Sequence, residues 1–338
     1  QPSRRAALLR LQISVGQFQI EMGHYRASLA LAERLLPACR QFGLEDDLFR
    51  TLLLYGHTQV RRGARAEAIP AFQEALALAE QLPLPRYRTE ALIGLGMIAS
   101  GEGRYADAQE YYRQGLTLCQ AMGYRPWAAR ILTNLGVNYS RQEEPKQAKP
   151  YFEEALKLAQ EEGDQFTVMI NNTNLGGVQR SLGHYPAALT YHQRSLSMAR
   201  SMGEERWIAT NLNGLAHTYL AMTNLAAAEP ALHEALHVGH QSDSKPDTLN
   251  SVGLMGHLFA HRGQLEAALR ALLYVEQHPA SLMRDRAYNQ TLITELCSEL
   301  PAELVKNVQG WVAVQTLDDV VRWLLHGATT PLVDIMPI

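Results

Sequence analysis

The twelve histidines and three cysteines of this 338-residue chain are its strongest candidates for chemistry. His257 and His261 are four apart, a spacing that puts two imidazoles on one helix face, as in zinc-protease helices. Such helices also need a glutamate general base after the first histidine. Here the run is His257-Leu258-Phe259-Ala260-His261, without one. A second set, His233, His237 and His240, has no carboxylate at metal-ligand spacing. Both sets read as polar surface histidine, with a histidine metal site as the remote alternative. Cys39, Cys119 and Cys297 are odd in number and form no CxxC pair. They indicate neither a zinc ribbon nor a disulfide framework, and their usage suits a reducing compartment. Cys297 has no histidine nearby in sequence to act as its base. No GxxxxGK[ST] loop or GxSxG elbow occurs, and no strand precedes a GxGxxG. The expectation is no enzyme, no metal and no cofactor.

Composition narrows the partners. Hydrophobic residues make up 46% and charged residues 19%, with a net charge of −3. A large core can be buried, and nothing draws the chain broadly to nucleic acid or to an anionic membrane. No apolar run approaches the ~18 residues of a membrane span. Gln1-Pro2-Ser3-Arg4-Arg5 carries neither Met nor a signal-peptide segment. The chain reads as cytoplasmic and as a segment of something longer.

The elements that must position any site are set by a repeat. Gly16, Gly56, Gly96, Gly136 and Gly176, then Ala216 and Gly256, recur every 40 residues. Ser28, Ala68, Ala108, Ala148, Ala188, Ala228 and Ala268 keep the same step, as do the turn residues Gly23, Gly63, Gly103, Glu143, Gly183, Thr223 and Gly263. Ala148, Phe152, Ala155, Leu156 and Ala159 follow a 3.6-residue helical period. Each unit is therefore two antiparallel helices joined by a tight turn. Gly and Ala stand where the helices approach most closely, and Phe72, Tyr112, Phe152, Leu232 and Leu272 fill the gaps beside them.

Asn134-Leu135-Gly136…Tyr139…Ala148…Phe152…Ala155 and Asn174-Leu175-Gly176…Gly183…Tyr185…Ala188 resemble the tetratricopeptide-repeat family over roughly residues 7 to 277. The 40-residue step, with Gly43, Gly123, Gly163 and Gly203 closing repeats, is similar to the subgroup that contains Leu-Gly-Asn-type spindle adaptors, Rap-type peptide receptors and MalT-like signalling-ATPase sensor arms. The resemblance implies an all-α, right-handed superhelical α-solenoid of seven helical hairpins over residues 1–279. Residues 280–326 are expected to form a helical C-terminal cap and 327–338 a tail. In the cap, Pro301 opens a helix and Thr316-Leu317-Asp318-Asp319 reads as a capping box. Cys39 and Cys119 fall at a small packing position shared with Ala79 and Ala159.

The family binds ligands along the face lined by the first helix of each pair. In this sequence the resemblance and the repeat phase together assign Arg50, Arg61, Arg130, Asn134, Arg141, Asn174, Arg180, Asn213, His217, Asn250 and His257 to it. Arginine predominates in the first half, opposed by Glu21 and Glu90. Arg can clamp a carboxylate through two bonds, and Asn can both donate to and accept from an extended peptide backbone. The expected ligand is a protein or peptide segment, acidic or carboxylate-bearing. No direct nucleic-acid or membrane contact is expected, and self-association is possible. Two roles fit: the C-terminal sensor or regulatory region of a larger bacterial signalling or transcription-regulating protein, or a stand-alone adaptor scaffold.

Overall fold

The computed structural model describes residues 2–21, 24–82 and 85–326, with the side chains of 2–6, 21, 283 and 284 outside that description. The turn residue Gly23, the side chain of Glu21 and the 327–338 tail therefore lie outside the described residues. Seventeen α-helices and no strand occur among the described residues. They fall into hairpins: α1 (Pro2–Glu21) with α2 (Tyr25–Gln41), α3 (Glu45–Arg61) with α4 (Arg65–Ala79), and α5 (Pro85–Gly101) with α6 (Tyr105–Met122). Then come α7 (Arg125–Arg141) with α8 (Pro145–Glu162), α9 (Gln165–Ser181) with α10 (Tyr185–Met202), α11 (Glu205–Ala221) with α12 (Leu225–Gln241), and α13 (Lys245–His261) with α14 (Leu265–Gln277). Three further helices follow: α15 (Met283–Glu299), α16 (Ala302–Val312) and α17 (Leu317–His326). The chain forms two compact units, Gln1–Asn171 and Asn172–Ile338, which divide within α9.

Within each unit the odd-numbered helices form an inner row, α1 beside α3 beside α5 beside α7, and α11 beside α13 beside α15. Of the even-numbered helices, α2, α4, α6, α12 and α14 each pack both on their own inner helix and on the next one. This packing depends on glycine. A Cβ on Gly136 would stand 2.6 Å from the Phe152 ring, so the ring occupies the space that any larger residue would need. Phe152 is 1% exposed, and Ala148 and Ala155 beside it are fully buried. Cys39 and Cys119 are buried in the same layer, where desolvation pushes both thiols up.

Helices α3, α5, α7, α9, α11 and α13 are each followed by a left-handed residue. At Gly183 (φ 79°) the next amide, His184, bonds Gln179 O at 2.9 Å and so satisfies a terminal carbonyl. Thr223 (φ 57°) and Glu143 (φ 58°) take the same conformation without glycine's freedom, and Asn224 N still bonds Tyr219 O at 2.8 Å. A β-branched residue held there is strained. Thr223→Gly is therefore expected to raise stability by about 1 kcal/mol, seen as a higher denaturant midpoint at unchanged slope. An unchanged or lower midpoint would contradict the strain.

The helices after residue 280 form as the sequence suggests. Thr316 N and Oγ1 both donate to Asp319 Oδ2 (3.1 and 2.6 Å), and Asp319 N bonds back to Thr316 Oγ1 at 3.3 Å, a reciprocal cap on α17. Trp323 and Val320 of α17 join Phe259, Leu272 and Val312 in one core, which closes the apolar face of α14.

Candidate functional site

In the first unit the inner helices carry a row of charges that is less basic than their arginines suggest. Arg10 bonds Asp47 at 3.1 Å, and Arg50 bonds Asp46 at 3.1 Å and the Tyr87 hydroxyl at 3.4 Å. Tyr87 in turn donates to Asp46. Asp47 is 1% exposed, so its charge is held by this pairing. These contacts correct the expected arginine excess: Asp46 and Asp47, one turn before the counted positions, neutralise Arg10 and Arg50.

A second group of charges lies further along the row. Arg130 stacks on the Trp127 ring at 4.4 Å and makes no salt bridge among the described residues. It stays exposed to solvent, yet burial by the surrounding helices lowers its pKa against the pull of Glu90 and Asp164. Glu90 is half-buried, and desolvation raises its carboxyl while Arg130, Arg86 and Arg50 pull it down. Desolvation drives His57 down to about 4, with the charges of Arg130 and Arg61 adding to it. Its neutral ring meets Phe72 edge-on at 5.1 Å. Arg141 reaches Ser100 Oγ at 3.2 Å and remains exposed, as does Arg61. Asn134, one turn beyond Arg130, is half-buried and its amide has no hydrogen bond within the described residues. This surface can accept an anion beside Arg130 and pair with a backbone amide at Asn134.

In the second unit Asn174 is likewise half-buried without a hydrogen bond, and the side-chain position of Gly177, three residues on, opens to empty space. Arg180 meets His217 Nε2 at 3.2 Å. Asn213 is not open to a ligand. It is 3% exposed, its amide donates to Asp247 O at 3.0 Å, and its carbonyl accepts from Ser251 at 2.8 Å. It ties α11 to α13, because three before the glycine faces the next inner helix rather than solvent. Asn250 and His257 are also partly spent. Asn250 donates to Asp285 at 3.1 Å, and His257 Nε2 lies 3.0 Å from Asn289. Tyr288 lies against the rings of both His217 (4.6 Å) and His257 (4.4 Å). Desolvation lowers the His257 pKa. Thus α15 continues the inner row and covers part of the expected surface. A cavity of about 420 Å³ remains beside it, lined by His257, His261, Tyr288, Thr291 and Glu295. Among the described residues no group of three His, Cys, Asp or Glu side chains is placed to hold a metal ion.

Residues 87–161 and residues 173–206 each match the tetratricopeptide repeat family. Over these residues the chain carries tetratricopeptide repeats. Its hairpins are similar to those of a Rap protein complexed with competence and sporulation factor: 14% identity, 95% of this chain and 90% of that one covered, TM-score 0.61. They are similar also to NprR in complex with its cognate peptide NprX: 14% identity, 91% and 89% covered, TM-score 0.61. A third likeness is to a signal-transduction ATPase with numerous domains from Pyrococcus horikoshii that bears a tetratricopeptide repeat sensor. There identity is 14% and the TM-score 0.57, covering 93% of this chain and 44% of that one. No curated protein matches the sequence.

Several residues on these tetratricopeptide hairpins escape a reading by face alone. Asp47, Tyr87 and Asp247 each stand nine before a repeat glycine or its equivalent, and each bonds the residue 37 earlier, respectively Arg10, Arg50 and Thr210. That spacing is a readable signal, three short of the repeat itself. Tyr288 and Asn289 had no such signal, because α15 follows a connection that breaks the 40-residue step.

Proposed function

We propose that this chain is a non-catalytic peptide- or protein-binding module that holds a partner segment against its inner helices. The observation that carries the reading is on α7: one turn apart, Arg130 has no salt bridge and Asn134 no hydrogen bond among the described residues. Groups that the fold does not use, next to an aromatic ring, suit a carboxylate and a backbone amide of an extended or helical segment. The preferred ligand is acidic, with Arg61, Arg130 and Arg141 as its attractors in the first unit; Asn174 and Arg180 are contact candidates of the second unit. The peptide-bound Rap protein and NprR support a peptide ligand. The ATPase that carries such repeats as a sensor supports a sensor or regulatory region of a larger cytoplasmic signalling protein. Three unpaired cysteines fit that compartment. Among the described residues no helix is long and apolar enough to cross a membrane.

A peptide-library screen tests the ligand class. Acidic hits are expected, with affinity falling as salt rises. Uniformly basic hits, or affinity indifferent to salt, would refute the acidic preference.

A further inference from the structure

Helix α15 ends the inner row of the second unit and leaves a cavity beside α13. Asp285 of α15 accepts from Asn250 of α13 at 3.1 Å, as Asp247 accepts from Thr210 one hairpin earlier at 2.8 Å. Asp285 comes 38 residues after Asp247, so α15 continues the row two residues short of the 40-residue step. Counted with that shift, Tyr288 takes the place of Asn250, and Glu295 takes the place of His257. Tyr288, Thr291, Leu292 and Glu295 recur at helical spacing on one face of α15. With His257, Ala260 and His261 they line the cavity of about 420 Å³, within the ~300–1,000 Å³ of small-ligand sites. By register His257 neighbours Glu295, and by ring contact it neighbours Tyr288 at 4.4 Å, so rings and carboxylate border one space.

The lining has the chemistry of a cation site. Glu295 is its only carboxylate and is exposed, and it includes neither lysine nor arginine. The arginines of the surrounding helices are engaged elsewhere. Arg180 lies 3.2 Å from His217 Nε2, Arg262 forks onto Glu229, and Arg286 donates to His278 O. His257 adds no charge, because its Nε2 donates to Asn289 Oδ1 at 3.0 Å and desolvation lowers its pKa, which keeps the ring neutral at pH 7. The Tyr288 ring, 44% exposed, extends the aromatic wall. An anion here would meet Glu295 with no opposing cation. An ammonium would answer Glu295 but has no plane to lay on the rings. A planar cation does both, since its face stacks on an aromatic ring and its N–H fork meets a carboxylate through two bonds. We infer that this cavity binds a guanidinium group, laid against the rings of Tyr288 and His257 and forked onto Glu295. The site is separate from Arg130 and Asn134 and does not rest on the acidic ligand proposed for them.

The test titrates two arginine compounds into the full chain, followed by ligand-detected NMR: N-acetyl-arginine amide and the capped pentapeptide Ala-Ala-Arg-Ala-Ala. Each is run beside its citrulline form, which keeps the plane and loses the charge, and its lysine form, which keeps the charge and loses the plane. Saturable binding of the arginine compounds is expected, weakened at least about tenfold in the citrulline forms and in Glu295→Gln. Tyr288→Leu should weaken binding and remove the preference for arginine over lysine. Glu295 is exposed, so its variant should keep the native circular dichroism spectrum and stay informative if Tyr288→Leu disturbs α15. Tighter binding of the pentapeptide would assign the guanidinium to an arginine of a partner segment, and equal binding of the two compounds to a small guanidine; either supports the site. Absence of saturable binding, equal affinity for the citrulline or lysine forms, or unchanged affinity in Glu295→Gln would overturn it. Neither variant touches the Arg130–Asn134 surface, so failure here leaves the acidic-ligand reading standing, and failure there leaves this one standing.

Discussion

Gly136→Leu is expected to destabilise the protein by about 3 kcal/mol, the largest effect of any single substitution considered. The Phe152 ring already lies 2.6 Å from where the first added carbon would go. Neither α7 nor α8 can move without disturbing the core that holds Ile131, Leu135 and Tyr151. The damage should stay in the neighbouring hairpins, because stability in stacked repeats is close to a sum of nearest-neighbour terms. Hydrogen exchange should therefore quicken in α7 and α8 while α13 and α14 stay protected. Gly177→Leu is the matched control. Nothing lies within 4 Å of its Cβ position, so it should cost nothing and gain up to about 1 kcal/mol of helix propensity. Equal melting of the Gly136 variant and the wild type would show that the register of hairpin packing is misplaced.

A second large effect is expected at His192 as the pH falls. His192 occupies the place that Phe72 and Phe152 hold in other hairpins and is 3% exposed. Its ring fills the gap where Cβ atoms on Gly176 and Gly214 would stand 2.7 and 2.4 Å away. Asn211 Oδ1 lies 3.3 Å from Nδ1, and Nε2 has no hydrogen-bond partner among the described residues. Desolvation lowers its pKa from 6.5 to about 4, helped by the charge of Arg180 and opposed by the Asn211 bond. Because the folded pKa lies below the unfolded one, the unfolded chain takes up a proton that the folded chain refuses. Stability from this group is intact above pH 6.5 and is lost as the pH falls towards 4, by roughly 3 kcal/mol at most. His57 falls in the same window and adds to the loss. His192→Phe should remove about half of the acid sensitivity while leaving stability at pH 7 within about 1 kcal/mol. Matching stability-against-pH curves for variant and wild type would show that His192 does not carry the effect.

The repeat made most of the fold legible, because close helix contact leaves a mark in residue size. Gly136, Ala148 and Phe152 are readable as one contact from spacing alone, and the reciprocal Thr316–Asp319 cap is local enough to be read directly. His192 was passed over, although it stands at the repeat position of Phe152, because a histidine there does not look like a core residue. The inner surface was less legible. Repeat phase gives the direction in which a side chain leaves its helix but not whether a neighbour has already claimed it. Asn213 leaves α11 towards α13 and is consumed by Asp247 and Ser251, while Asn134, in the first unit, has no hydrogen bond among the described residues. Asp46 and Asp47 were overlooked because they sit a turn outside the glycine-centred positions. The cover supplied by Tyr288 depends on how α15 is placed after the repeat has ended.

Binding at the inner helices is tested most directly by the affinity of one selected acidic peptide for the wild type and for the Arg130→Ala/Arg141→Ala double variant, measured at low and high salt. Both side chains are exposed, so the variant should stay folded. The account predicts a loss of about 1.5–3 kcal/mol for each charged hydrogen bond that is desolvated in the complex, a smaller loss where solvent screens it, and a flatter salt dependence. Asn134→Ala should weaken the same peptide with its salt slope unchanged. Equal affinity of wild type and double variant for the peptide, at every salt concentration, would contradict the assignment of the ligand to this face.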